Sequence, residues 1–277
     1  MKTVKYALIC FILTLLLSGT PSAQSQAANL GTAQYIGGRT VLVAIFVNTP
    51  QYSWDFSDPD DLDTYSKLYY RLQTASEWLE TQTASWNVWS DFIWDWYNNS
   101  NLYYEAYFDM PLNGSMGTRY SEIFDWFKSH IDPDALLSQY DADNIIFMWY
   151  VNSDLYQDEH CFSFQFDYNY LTDSQKGYEG VWFNVRHSGF TLGAPTMAHE
   201  ILHCFGAVDL YYSNDQINSS YVSYLDSIGS SDIMHTIYDQ PDVISESFTE
   251  LDAYYIGLTS YSYDVQSYGL GMSPHLR

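Results

Sequence analysis

The sequence has few basic residues for its length. Of 277 residues, 10 are Lys or Arg and 34 are Asp or Glu, so the formal net charge is -24. A charge of this sign and size argues against proteins that grip nucleic-acid phosphates or anionic lipids. An apolar content of 47% also excludes an acidic disordered tail. These shortages leave a folded, acidic protein, which we expect to be a monomer without nucleic-acid partners.

Long apolar runs are also scarce, and the clearest one lies near the start of the chain. Lys2 and Lys5 precede an apolar run from Tyr6 to Leu17, and small residues follow it as far as Ala28. The run is about 12 residues long, short of the roughly 20 that a transmembrane helix needs. The pattern predicts a secretory signal peptide over residues 1–27, with Ala27 as the last residue removed. We therefore expect a secreted protein without membrane contact after cleavage. Its mature chain would carry 34 acidic residues against 8 basic ones.

Cysteine is rare. The sequence has 3 cysteines, and Cys10 belongs to the predicted signal peptide. The mature chain keeps Cys161 and Cys204, so it can form at most one internal disulfide. In an oxidising compartment that bridge is one interpretation, and two buried thiols are the other. The sequence alone leaves both open.

The mature chain lacks internal repeats and linkers rich in Pro, Gly or Ser, which predicts a single domain over residues 28–277. Continuous apolar runs predict strands buried on both faces, and alternating patterns predict half-exposed strands. Helical spacing of apolar residues follows an acidic start near Asp63, and the Trp-rich stretch after it is interpreted as more helix. The combination predicts a mixed α/β domain. The predicted strands are 41–47, 102–108, 144–151, 161–166 and 181–185. The predicted helices are a long one that follows the acidic start at 60–63 and has apolar spacing as far as Leu79, an extension or second helix at 86–97, and helices at 118–130 and 247–258.

One motif carries a specific chemistry. His199 and His203 are four residues apart, so on a helix their imidazoles project from the same side and can bind one Zn²⁺. Glu200 follows the first of them and can accept a proton from a water beside the metal without ligating it. Pro195 is well placed at the start of such a helix.

The third metal ligand is less certain from the residues alone. Gly206 can end the helix in a left-handed turn, after which Asp209 can face the metal. Four other residues compete with Asp209 for this role, and they stay open at this point. They are Asp232, His235, Glu246 and Glu250.

The pattern HExxHxxGxxD over residues 199–209 resembles the metzincin clan of zinc peptidases. Aspartate as third ligand is similar to the snapalysin type. The resemblance implies a five-stranded mixed sheet, a long backing helix, a zinc-binding active-site helix and a C-terminal helix. It divides the domain into an upper part, about 38–206, and a lower part, about 207–277. It also implies that Cys161–Phe166 is an edge strand that pairs with substrate.

The same resemblance implies a tight turn with a buried methionine beneath the metal, and Met234 fits that place. Some metzincins have a tyrosine two residues after this methionine, where it stabilises the oxyanion. Here that position is Thr236, and Tyr238 lies two residues further on, so Tyr238 is a weak candidate for the role.

The expected function is that of a secreted zinc endopeptidase acting on proteins or peptides, with Glu200 as general base. Two alternatives stay open: an exported aromatic-rich binding protein with a vestigial site, and a glycan-active enzyme with paired carboxylates. The acidic clusters Asp58–Asp63 and Asp141–Asp143 are open between Ca²⁺ binding and ordinary roles at a helix start and a turn.

Overall fold

The computed structural model describes residues 35–109, 116–153, 161–166, 178–187, 190–237 and 240–276. The predicted signal peptide and Tyr238 lie outside these ranges. Within the ranges, no helix combines the length and the apolar character needed to cross a membrane.

A mixed sheet forms the centre of the fold. The strand order is β2-β1-β4-β6-β5, and β3 also pairs with β1. Five of these six strands run parallel, and β5 runs antiparallel to β6 at one edge. The predicted mixed α/β class is confirmed, and the predicted count of five strands is one too low among the described residues. The strands are β1 (Gly38–Asn48), β2 (Ser90–Ile93), β3 (Tyr103–Tyr107), β4 (Asn144–Val151), β5 (Cys161–Phe166) and β6 (Tyr178–Asn184), and a separate small hairpin pairs β7 (Arg186–His187) with β8 (Phe190–Thr191).

The two most apolar segments lie in the middle of the sheet. β1 pairs with β4 in register, with Leu42 opposite Ile146, and the apolar side chains of both strands are fully buried over 41–47 and 145–151. In a sheet with helices on both faces, both faces are buried, so the central strands have apolar side chains throughout and do not alternate apolar with polar residues. The prediction of two strands buried on both faces is confirmed.

Seven helices accompany the sheet in the described ranges. The longest, α1, has 27 residues and starts behind Asp58, whose side chain accepts a hydrogen bond from the backbone N–H of Asp60. It is the long helix that the acidic start and apolar spacing predicted. The helices are α1 (Pro59–Ser85), α2 (Met116–His130), α3 (Pro133–Tyr140), α4 (Ala194–Cys204), α5 (Ser219–Ile228), α6 (Glu250–Tyr255) and α7 (Tyr263–Tyr268), with 3-10 turns at Ser100–Leu102 and Pro274–Leu276.

The interpretation of residues 86–97 as helix is wrong. Trp86 caps the end of α1, and Asn87 turns the chain with a φ of 59°. The next residues form β2, in which Ser90 and Phe92 are buried and their neighbours are partly exposed. This two-residue period is that of a strand. The many tryptophans gave the segment an apolar character that did not distinguish strand from helix.

The two acidic clusters are occupied by protein donors. Asp61 accepts hydrogen bonds from Asn152 and Arg186, and Asp143 accepts one from the backbone N–H of Arg39. Asp141 adopts a left-handed conformation at the end of α3. The ordinary roles at a helix start and a turn are therefore confirmed. In the described ranges these acids form no group of three metal-ligating side chains.

Candidate metal centre

Helix α4 carries the histidine motif and lies against α1 and β5. Its start is held by the buried Arg71 of α1, which donates to the carbonyls of Thr191 and Leu192 at 3.0 Å each. Arg71 also forms an ion pair with Asp242 at 2.7 Å. Because three separate segments meet at Arg71, the direction in which α4 enters the core is determined by tertiary contacts.

The end of α4 turns sharply at Gly206. This glycine has a φ of 101°, and a Cβ there would lie 2.9 Å from the Cγ of Pro274 and 3.1 Å from the carbonyl oxygen of Tyr255. Only glycine meets both requirements without strain. The backbone N–H of Ala207 donates to the carbonyl of Leu202 at 3.1 Å. The turn then brings the chain back towards the two histidines, as the sequence predicted.

Three ligand atoms meet in the space that this turn closes. The Nε2 atoms of His199 and His203 are 3.1 Å apart. One carboxylate oxygen of Asp209, Oδ1, lies 3.2 Å from the first Nε2 and 3.1 Å from the second. Asp209 and His199 are buried and at most 1% exposed, and the side chain of His203 is 6% exposed. The structure thus brings together the two predicted histidines and the favoured third candidate.

Backbone carbonyls orient both imidazoles. The Nδ1 of His199 donates to the carbonyl of Ile233 at 2.9 Å, and the Nδ1 of His203 donates to the carbonyl of Ala207 at 2.8 Å. A carbonyl can only accept, so both Nδ1 atoms carry protons, and in each neutral imidazole Nε2 is the nitrogen left to bind a metal. Carbonyl partners of this kind are usual for metal-bound histidines.

This arrangement fits a metal ion. Two imidazole nitrogens and a carboxylate oxygen converge within a few ångströms, and a cation between them, either a metal ion or a proton on an imidazole, holds them together. The second oxygen of Asp209 is buried and makes no hydrogen bond to any residue in the described ranges. The buried His199, His203 and Asp209 group can therefore hold a metal ion.

The electrostatics of the group point the same way. Burial alone would lower the pKa of His203, but the charge and hydrogen bond of Asp209, with help from Glu200, raise it to about 9. Burial alone would raise the pKa of Asp209, but the two imidazoles hold it well below its ordinary value. The pocket thus stabilises positive charge next to an ionised carboxylate.

The turn that contains Met234 lies beside this group. Met234 is fully buried, and the backbone N–H groups of His235 and Thr236 donate to the carbonyl of Asp232, which closes a tight turn. The carbonyl of Met234 accepts from Leu210, one residue after Asp209. Through Ile233 the same turn holds His199, so it supports both sides of the metal group.

The other ligand candidates have different partners. Asp232 accepts hydrogen bonds from the backbone N–H of Met234 and from the hydroxyl of Thr249, both at 2.8 Å. His235 lies 3.3 Å from Asp226. Glu246 accepts from the backbone N–H of its neighbour Ser245, and Glu250 accepts from that of Tyr263. In the described part of the chain, none of the four joins the metal-ligating group.

Glu200 is fully buried in α4, and its charge acts on His203. Sequence reasoning identified Glu200 but missed Tyr211, whose ring lies 6.5 Å from that of His199 in a stacked arrangement. It also missed the supporting carbonyls of Ala207 and Ile233. No spacing rule points to them, because a carbonyl belongs to every residue and its partner is set by the fold.

Cys204, the last residue of α4, is a free and buried thiol. Its Sγ lies 3.6 Å from the carbonyl of Glu200, and burial raises its pKa well above the ordinary value. Of the two interpretations left open by the sequence, the structure has the buried thiol at this residue.

Comparison with known proteins adds no name to this site, because neither the models of known families nor the curated proteins include a match to the chain.

Proposed function

We propose that this protein is a zinc endopeptidase of the metzincin type, with His199, His203 and Asp209 as the protein ligands. The observation that carries the proposal is the convergence of two Nε2 atoms and one carboxylate oxygen, each about 3 Å from the others, beside a buried glutamate. Three protein ligands of nitrogen and oxygen type leave a position for water, which is the composition of catalytic zinc sites. Purely structural zinc sites usually have four protein ligands, often cysteines.

A zinc ion bound there supplies Lewis acidity, which polarises the scissile carbonyl of a peptide and lowers the pKa of a water molecule. The protein supplies the proton transfers. Glu200 accepts the proton of the attacking water and returns it to the amine that leaves. The charge of Glu200 acts on His203, and its burial keeps solvent from competing for the proton.

The sheet offers a place for an extended substrate. β5 forms the edge of the sheet next to β6, and α4 lies against it. Unpaired backbone groups of an edge strand bind an extended peptide by adding it as a further strand. We propose that β5 binds the substrate in this way, and that the protein is exported by its N-terminal segment and acts as a monomer.

The decisive experiment compares two variants of the metal centre. Glu200→Gln should retain zinc and lose at least about 1000-fold in casein cleavage, since a general base is removed while the ligands remain. Asp209→Ala should lose most of its zinc as well as its activity, because a buried ligand is missing. Zinc is measured by atomic emission after dialysis, and cleavage by release of labelled peptides with and without a chelator.

His130→Gln is a matched control, because this exposed histidine of α2 is not part of the metal group. Full cleavage by Glu200→Gln would overturn the mechanism, and full zinc binding by Asp209→Ala would overturn the ligand set. Purified protein that binds no zinc would favour an exported binding protein with a vestigial site. Glycan hydrolysis that resists the chelator would favour the glycan-active enzyme.

A further inference from the structure

A second concave surface lies on the α1 side of the sheet. It is a cleft of about 520 Å³ lined mainly by the side chains of Phe56, Leu62, Tyr65, Trp96, Tyr97 and Tyr103. None of its lining residues belongs to the metal centre. Arg71 contacts the chain that leads into α4. Tyr65 lies six residues before Arg71, which is about 9 Å along α1. The cleft is therefore a separate site.

The cleft results from an unusual use of β1. β2 pairs with the first half of β1 and β3 with the second half, on the same side. The chain between them, residues 94–102, bulges over the start of α1 and brings its aromatic residues against Tyr65. The indole N–H of Trp96 donates to the hydroxyl of Tyr65 at 3.0 Å. The aromatic wall is thereby held in place before any ligand arrives.

Part of this wall faces solvent. Tyr97 is 61% exposed, and its ring centre lies 5.8 Å from that of Tyr65 and 5.4 Å from that of Tyr69. Tyr69 in turn contacts Tyr70, which is 64% exposed. The aromatic surface thus continues from the cleft through the half-buried Tyr69 to the exposed Tyr70 on α1. Contiguous exposed aromatic surface of this kind is typical of binding sites.

The charges around the cleft disfavour anionic ligands. None of the residues that line it is charged. Two carboxylates beside it are hydrogen-bonded, since Asp95 accepts from Tyr69 and from Asn98, and Glu105 accepts from Tyr103. An anionic ligand would face a protein of net charge -24. A cationic ligand would be attracted by the rings and by the net charge but would find no carboxylate in the lining to pair with. The choice between a cationic and a neutral ligand therefore rests on the polar groups of the cleft.

The polar groups that remain are a mixture of donors and acceptors. Within the described ranges, the hydroxyls of Tyr97 and Ser100 and the side-chain carbonyl of Asn98 take part in no hydrogen bond. The hydroxyls of a sugar both donate and accept, so they match this mixture, and the indole N–H of Trp96 is already bonded to Tyr65. We propose that this cleft binds a neutral oligosaccharide, with the apolar face of a sugar ring on Tyr97 and its hydroxyls on Asn98 and Ser100.

The test uses the secreted full chain and a panel of neutral hexasaccharides with cello, xylo, manno, laminari and chito linkages, titrated by isothermal calorimetry. At least one should bind with a Kd below 10 mM. Tyr97→Ala should weaken that binding about tenfold, which is near the value of one aromatic contact, and Tyr97→Phe should weaken it less. Tyr107→Ala is the matched control, because this ring is 62% exposed but lies outside the cleft.

Three results would overturn the assignment: no binding by any hexasaccharide, equal binding by Tyr97→Ala and Tyr107→Ala, or binding of decaproline or choline that Tyr97→Ala abolishes in place of sugar binding. Casein cleavage and zinc content should be unchanged in all three tyrosine variants. The site can therefore fail without affecting the proposed peptidase, and the peptidase can fail without affecting this site.

Discussion

Among the described residues, the stretch 35–206 buries an apolar sheet and two carboxylates, those of Glu179 and Glu200, whereas the much shorter stretch 207–276 buries four carboxylates. In the first region the two central strands contribute fully buried apolar side chains from end to end. In the second region the helices are short, with 10, 6 and 6 residues. Four of its acidic residues are each at most 5% exposed. These residues are Asp209, Asp232, Glu246 and Asp252.

The difference shows how each region keeps its shape. Apolar burial is non-directional and depends on volume, so the sheet provides a rigid base. Buried carboxylates are stable only with specific partners, so they determine the positions of particular loops. The metal centre lies where the two regions meet: its histidines come from a helix packed on the sheet, and its aspartate comes from the polar region.

The largest effect is expected from the apolar region. Phe147→Ala in β4 removes a fully buried ring that meets the ring of Phe127 at 4.6 Å. We expect a loss of about 4 kcal/mol in the free energy of unfolding, from lost burial plus the cavity left behind. Urea denaturation measures it, with Tyr107→Ala expected within about 0.5 kcal/mol of the parent protein. Similar losses for both variants would contradict this account of the sheet.

The second prediction concerns pH in the polar region. Burial raises the pKa of Asp252 well above its ordinary value, and the charge of Asp232 raises it further. The native state therefore keeps a proton that the unfolded chain releases above about pH 4. The stabilisation from this group is complete below that pH and declines as the pH rises towards the raised pKa.

Asp252→Asn puts a permanently neutral group at this position, and its amide can still accept from Thr249 and donate to Asp232. Near pH 4 we expect the variant and the parent to have nearly the same free energy of unfolding. By pH 7 the free energy of unfolding of the variant should be about 1–2 kcal/mol higher than that of the parent. Urea denaturation at several pH values gives the slope. Asp125→Asn, at an exposed acid of α2, should show no such trend. A gain independent of pH would refute the account in which native Asp252 keeps its proton.

The smallest effect is the difference between two helix caps. Thr249 caps α6 in a capping box with Asp252 and also donates to the buried Asp232. Asp58 caps α1 at the surface. Thr249→Ala should lower the free energy of unfolding by about 2 kcal/mol, since it also removes a hydrogen-bond donor from the buried carboxylate of Asp232. Asp58→Ala should lower it by about 1 kcal/mol.

Thermal denaturation of both variants measures this difference. Thr249→Ser keeps the hydroxyl and should recover most of the loss. Equal costs at the two caps would mean that Thr249 acts as an ordinary cap and that its bond to Asp232 contributes little.

Prediction from sequence succeeded where the information is local. The strand at residues 144–151 was predicted with its observed bounds, and the run at 41–47 lies inside β1. The turn at Gly206 also followed from its spacing after His203. Prediction failed at residues 86–97, because tryptophans spaced along a strand and along a helix look equally apolar. It also missed α3. Asp132 and Pro133 follow the end of α2, but they also begin a new helix, with Asp132 as its N-cap.

The sequence by itself identified His199 and His203 of α4 as candidate ligands, because helical geometry alone brings residues four apart to one side. It identified Glu200 from the same motif. It also narrowed the third ligand to five candidates. Only the tertiary structure selected among them: Asp209 faces the histidines, while Asp232 is held by Thr249 and Met234. The aromatic cleft likewise has no sequence signature, since its walls come from the start of α1 and the loop before β3. In both cases the deciding contacts join distant residues, and only the packing of the whole chain specifies such contacts.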